Sequence, residues 1–240
     1  MADVFAALYF SILKHNPRDP LWADRDRVLL SNGHICPVLY ATLAEAGYFP
    51  RSELMTLRQA FSRLQGHPHF GSLPGVESSS GPLGQGLSQA VGLTLGLRLQ
   101  QRNARVYCLL SDAEHQEGQT WEAYSYASKA KLGNLTAFID RNQIQIGGRT
   151  EEVMPIEPLA DKLSSFNWHV QEIDGHNFEE ITSAVGRAQA EDNKPSVIIC
   201  NTIPGKGVSF MEGKFEWHGK PPSREQAEIA LSELQEQTSL

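Results

Sequence analysis

Asp112, Glu117 and the triplet Asp140-Arg141-Asn142 fall within one stretch of text, VYCLLSDAEHQEGQTWEAYSYASKAKLGNLTAFIDRNQIQIGG. An apolar run ends in Asp112, a helix-forming segment opens at Glu117-Gly118, and a second apolar run ends in Asp-x-Asn. Short apolar runs bounded by polar text read as buried strands. Asp112 and Asn142 therefore stand at the carboxyl ends of neighbouring strands, the edge at which open α/β sheets bind ligands. Two side-chain oxygens there suit a hard divalent cation that also holds a phosphate. Taken alone, Asp-x-Asn after a strand is also an ordinary turn.

The rest of the chain must position these groups. Its 240 residues, 40% hydrophobic, are enough for one large α/β domain or two small ones. A net charge of −7 argues against a nucleic-acid surface. Cys36, Cys108 and Cys200 have neither zinc-site spacing nor disulfide parity, which points to a reducing, cytoplasmic setting. The apolar opening MADVFAALYFSILKH carries Asp3, lacks a basic leader region and is too short to span a bilayer, so it reads as a packed helix with no membrane role.

Helical periodicity covers 2–14, 37–46 (ending at Gly47), 52–62 and the Gly-rich segment 84–100. Val28–Leu30 is a short apolar run before Ser31-Asn32-Gly33-His34. QGHPHFGSLPGVESSSGPLGQG is a long Gly/Pro/Ser-rich loop, and a loop of that length inside a compact domain is usually functional or disordered. Gly86, Gly92 and Gly96 suggest close helix packing or a partner's close approach. From residue 105, strands at 105–111, 135–139, 168–173 and 196–202 alternate with helices at 118–131, 158–166 and 177–191. That pattern predicts an α/β fold with a mostly parallel sheet and helices on both faces. Residues 222–238 predict a charged amphipathic helix.

The chain resembles the diphosphate-binding N-terminal domain of transketolase, in the form divided between two polypeptides. The resemblance rests on KHNPRDPLWADRDRVLLSNGH, GHP, PGVESSSGPLGQGLSQAVG, EGQTWEA, DRNQIQIGG, WHVQEIDGHN and TIPGKGVSFMEGKFEWHG, which together run nearly end to end. It implies a single domain over 1–240 and a thiamine diphosphate enzyme that moves a two-carbon ketol unit from a ketose phosphate to an aldose phosphate. It also implies Mg²⁺ or Ca²⁺ held by Asp112, the Asn142 side-chain oxygen and the backbone carbonyl of Ile144. Ser111, Asp112, Ala113 and Glu114 occupy the start of the family's thiamine motif. His34 and His176 match histidines near the diphosphate and the reacting centre, and His67 matches one that faces substrate. Gly81, Pro82 and Leu83 match the segment beneath the aminopyrimidine ring. Glu117 matches a carboxylate of a proton relay across the subunit interface. Each also has a plain structural reading: strand-end cap for His34, loop histidine for His67, turn residue for His176, turn for Gly81-Pro82, helix N-terminal acid for Glu117.

Three departures qualify the match. The family's motif begins Gly-Asp-Gly where this chain has Ser111-Asp112-Ala113. If the third position needs positive φ, alanine costs on the order of 1–2 kcal/mol; the Ala113 methyl crowds the phosphate while its N–H can still donate, and Ser111 either clashes or adds a hydrogen bond, so weakened binding is expected. In the family a helix and an SGH turn, whose histidine contacts substrate, precede the text matching MADVFAALYF; their absence here reads as truncation or as a shortened variant. The pyrimidine-binding domain with its activating glutamate is also absent, as in a split enzyme. That predicts a separate C-terminal subunit, assembly as a homodimer or heterotetramer, and sugar phosphate substrates. The rival expectation is a degenerate scaffold subunit that binds the partner without the cofactor. A generic nucleotide-binding domain lacks its Gly fingerprint here.

Overall fold

The computed structural model describes residues 1–238. Its elements are α1 (Ala2–Ala7, continuing into a π-helical turn, Leu8–Ile12), β1 (Arg27–Leu30), α2 (Cys36–Glu45), α3 (Gly86–Leu99), β2 (Val106–Ser111), α4 (Gly118–Lys129) and β3 (Leu135–Arg141). There follow β4 (Ile144–Gln145), β5 (Gly148–Arg149), α5 (Thr150–Val153), α6 (Leu159–Ser165), β6 (His169–Asp174), α7 (Phe178–Ala190), β7 (Ser196–Asn201) and α8 (Arg224–Thr238). Five strands form one sheet in the order β1-β2-β3-β7-β6, every neighbouring pair parallel. The predicted mostly parallel α/β sheet is what forms, and β4 with β5 adds a small antiparallel hairpin that the periodicity did not announce.

Alternation along the strands builds two cores. Tyr107, Leu109, Phe138 and Ile198 point to the face covered by α1, α2 and α7. Val106, Cys108, Leu110, Ala137 and Ile199 point to the face covered by α3, α4 and α6. Strands buried on both sides must be apolar throughout, which is why β2 reads VYCLLS without polar alternation. The chain steps one way along the sheet from β1 to β6 with α3, α4 and α6 on one face. It steps back once, from β6 to β7, and α7 lies on the other face. A constant crossover hand requires this change of face when direction reverses. All strand carboxyl ends then share one edge, where Asp112, Asn142 and the loops after β1, β6 and β7 meet.

Two helix expectations are corrected. Residues 52–62 form only a 3₁₀ stretch, Arg51–Thr56, and the chain then turns back with Arg58 and Phe61 at positive φ. The Thr56 hydroxyl donates to the Glu53 carbonyl at 2.8 Å and lies 2.7 Å from the Ser62 hydroxyl, so short polar side chains draw the backbone out of the helix. Of the α3 glycines, Gly86 lies against the end of β1, whereas a Cβ on Gly92 or Gly96 would meet nothing within 4 Å. Those two are not close-packing positions inside this chain. No helix is long and apolar enough to cross a membrane among the described residues, and the three cysteines are free and buried.

Candidate functional site

Asp112 lies just past β2 and is 1% exposed. Its Oδ1 accepts the Ala113 N–H at 2.7 Å; its Oδ2 accepts the Gln143 N–H at 2.7 Å and the Thr150 hydroxyl at 3.4 Å. The Gln143 bond ties the turn after β3 to the acid after β2, so the two clusters read from sequence meet. In that turn the Asn142 Oδ1 accepts the Ile144 N–H at 3.0 Å, and its Nδ2 donates to Asp140 Oδ2 at 3.1 Å. Burial pushes the Asp112 carboxyl up to about 6, against the lowering effect of the Gln143 and Ala113 N–H groups.

These residues fit a divalent cation. Among the described residues no group of three or more His, Cys, Asp or Glu side chains is placed to hold a metal. The donors at hand are oxygens: the buried Asp112 carboxylate, the Asn142 amide and the carbonyls of the turn, with the buried Asp140 carboxylate beside them. Asp112 Oδ1 and Asn142 Oδ1 each accept one bond and keep a second lone pair. Such a partial set suits an oxygen-preferring cation that brings phosphate and water oxygens to complete its shell.

The altered residues of the motif settle without strain. Ala113 opens a 3₁₀ turn, Ala113–Gln116, and its φ is negative, so the expected positive-φ penalty does not arise. Its N–H is occupied by Asp112. The Ser111 hydroxyl lies 3.4 Å from Glu114 Oε2. Glu114 itself is fully buried and lines no part of the cleft described next.

Above this edge lies a cleft of about 710 Å³. Ser111, Ala113, Glu117, Asn142 and Ile144 line one part of it, and His34, His67, Gly81 and Leu83 another. His34 sits in the 3₁₀ turn Gly33–Ile35 after β1. His67 is set by its contact with Gly81, whose φ is +143° and where a Cβ would come within 3.3 Å of the imidazole Cγ. The Ser80 N–H bonds the Pro68 carbonyl at 3.1 Å and closes that loop. Pro82 lies outside the cleft, in a smaller recess with Ser80 and Gln85. Glu117 caps the start of α4 without a side-chain cap bond.

His176 is placed elsewhere. Its Nδ1 is 2.8 Å from Asp3 Oδ2, and its Nε2 accepts the Ile203 N–H at 2.9 Å, so it fastens α1 to the loop after β7. His176→Ala is expected to lower stability by about 1–3 kcal/mol, the range for a lost part-buried hydrogen-bonding group, while Mg²⁺-dependent diphosphate affinity stays within about twofold. Thermal unfolding and calorimetry check both halves.

His218 was not singled out from the sequence. It lines the cleft, its ring centroid 5.3 Å from that of His34, together with Arg58 and Lys220. It follows no strand, and only its WHG text marked it. Burial first, then the neighbouring His218 and His67, push His34 down to about 4, with Asp140 opposing. His34 is thus neutral at physiological pH. Its NMR ring resonances are expected to stay fixed between about pH 5.5 and 8, where an ordinary histidine titrates; a midpoint near about 6.5 would contradict this reading of the site.

Comparisons with known proteins bear on the family and the fold. Residues 1–235 match the family of the transketolase, thiamine diphosphate binding domain. The chain is 45% identical over 237 residues to the 6-deoxy-6-sulfo-D-fructose transketolase subunit SqwG of a Clostridium species, covering 99% of this chain and 86% of that protein. It is 40% identical over 234 residues to an apulose-4-phosphate transketolase subunit of Phocaeicola vulgatus, covering 98% and 83%. The crystal structure of transketolase from Campylobacter jejuni superposes with a TM-score of 0.90 at 34% identity, covering 95% of this chain and 37% of that one. The chain therefore spans most of the subunit-type relatives and about a third of the longer transketolase.

Proposed function

The chain belongs to the transketolase family, as its thiamine diphosphate-binding domain, and from that premise we propose that it is the N-terminal subunit of a transketolase divided between two polypeptides. Asp112, the Asn142 side-chain oxygen and the Ile144 carbonyl hold Mg²⁺, with Ca²⁺ an alternative, and through it the diphosphate. The observation that carries this is the Gln143-to-Asp112 hydrogen bond, which brings both donor segments to one place. When bound, the cofactor supplies the nucleophilic carbon that accepts and releases a two-carbon ketol unit between sugar phosphates.

The chain's own residues bind, orient and move protons. His34, uncharged at neutral pH, can donate at one ring nitrogen and accept at the other, and His67 stands beside it to meet substrate hydroxyls. His218 completes that wall. Gly81 and Leu83 offer a surface for the aminopyrimidine ring, which Pro82 stiffens from behind. Glu117, at the cleft, presents a carboxylate toward the partner. His176 acts at a distance, by holding the edge loops together.

The remaining wall of the site comes from a C-terminal subunit carrying the pyrimidine-binding domain, assembled as a homodimer or heterotetramer in the cytoplasm. The designation of two relatives as transketolase subunits supports this. The unstrained Ala113 and the inward-turned Ser111 hydroxyl favour catalysis over a scaffold role. The test is to co-purify the chain with its partner subunit and follow ketol transfer from xylulose 5-phosphate. Turnover is expected; none at saturating cofactor and Mg²⁺ would overturn the proposal.

A further inference from the structure

Glu114 is a carboxylate with 0% exposure. Among the described residues no basic side chain bonds it; its partners there are hydroxyls and backbone N–H groups. Its Oε1 accepts the Ser31 hydroxyl at 2.5 Å and the Gly84 N–H at 2.9 Å. Its Oε2 accepts the Ser111 N–H at 2.8 Å, with the Ser111 hydroxyl at 3.4 Å. The Ser31 oxygen in turn accepts the Gly86 N–H at 3.1 Å. One side chain thus joins three segments distant in sequence: the end of β1, the loop entering α3, and the end of β2.

Burying a carboxylate without a cation is costly unless its oxygens are satisfied by donors. Here both oxygens are met from opposite sides, and each side belongs to a different functional segment. The Oε1 side carries the loop that continues from Gly81 and Leu83. The Oε2 side carries the Ser111-Asp112-Ala113 turn. A turn acid that merely capped its own helix would bond the N–H groups ahead of it; Glu114 reaches back to Ser111 and across to Ser31 and Gly84. Ser111, where the family has glycine, points its hydroxyl at this carboxylate.

We propose that Glu114 is a positioning residue, fixing the ring-facing Gly81–Leu83 segment at a set distance from the metal–diphosphate turn. The inference rests on the cofactor reading above. Thiamine diphosphate must engage both segments at once, whereas inorganic pyrophosphate engages only the turn. Losing the tie therefore weakens the whole cofactor more than its diphosphate alone.

Glu114→Gln is the direct probe. Its amide nitrogen must face either the Gly84 or the Ser111 N–H, donor against donor, so one side of the tie opens. Ser31→Ala weakens the Oε1 side alone: it removes the Ser31 bond to Oε1 and the acceptor of the Gly86 N–H, and leaves the carboxylate and its Gly84 bond intact. With the chain in complex with its partner subunit and Mg²⁺ fixed, calorimetry would compare thiamine diphosphate with pyrophosphate. Both variants are expected to bind thiamine diphosphate about tenfold or more weakly, the scale of outer-shell substitutions, with pyrophosphate affinity changed less than about twofold. Should Glu114→Gln fail to fold, Ser31→Ala carries the same comparison. Equal losses for the two ligands, or no loss for either, would overturn the inference while leaving the cofactor reading standing. If the unmodified complex binds no thiamine diphosphate, the cofactor reading and the inference fall together.

Discussion

Asp112→Asn is expected to weaken Mg²⁺-dependent thiamine diphosphate binding by about a hundredfold or more, beyond the ten- to hundredfold typical of residues that only support a ligand. Two losses combine. The substitution removes the buried Asp112 carboxylate proposed to hold the cation. It also places an amide nitrogen opposite the Ala113 or the Gln143 N–H, both of which now donate to Asp112 at 2.7 Å. Releasing Gln143 frees the turn that presents Asn142 and Ile144, so the other donors move as well. Calorimetric titration at fixed Mg²⁺ reads the effect, and a loss of less than about threefold would show that Asp112 holds no metal.

The same carboxylate gives a pH dependence with a defined sign. Burial raises its folded-state pKa to about 6, above its value in the unfolded chain. Between about pH 4 and 6 the folded chain therefore binds more protons, and this group's contribution to the stability of the cofactor-free chain falls as pH rises through that window. Metal binding requires the ionised form, so it should weaken as pH drops below about 6.

Gly86→Ala is expected to destabilise the chain by about 3 kcal/mol, a fall in Tm of roughly 6–12 °C for a domain of this size. A Cβ there would lie 2.4 Å from Ser31 Cβ and 2.6 Å from Ser31 Cα. Neither atom is the mobile end of a side chain, so α3 must lift from β1. Because Gly86 also donates to Ser31, the Glu114 tie would loosen with it. Gly92→Ala and Gly96→Ala are the controls. Their Cβ atoms meet nothing within 4 Å, so each should gain up to about 1 kcal/mol from helix propensity. Thermal unfolding of the three variants separates packing from propensity; a Gly86→Ala chain as stable as these controls would contradict the packing account.

What was legible in the sequence follows from what periodicity can carry. Buried parallel strands write continuous apolar runs, so β2, β3, β6 and β7 were readable to within two residues at each end, and with them the placement of Asp112 and Asn142 at one edge. The segment after Pro50 was misread because its apolar spacing suits a helix, while Thr56 and Ser62 offer the backbone local hydroxyl partners that spacing does not weigh. The bonds that organise the site were not legible. Gln143 to Asp112, and Ser31 and Gly84 to Glu114, join residues at least 30 positions apart through groups that any turn could contain. His218 reached the cleft for the same reason, brought in by tertiary folding of an irregular segment. The effect of Ala113 also needed coordinates, since its cost turned on the sign of one dihedral angle.

The most direct test of the account is calorimetric titration of thiamine diphosphate into the chain assembled with its partner subunit, with Mg²⁺ and then with chelator in its place. Saturable binding that requires the metal, and that Asp112→Asn weakens by about a hundredfold or more, is the predicted result. Absence of binding with Mg²⁺ and partner present, or binding indifferent to both chelator and Asp112, would contradict the claim that this sheet edge holds a metal-bound diphosphate.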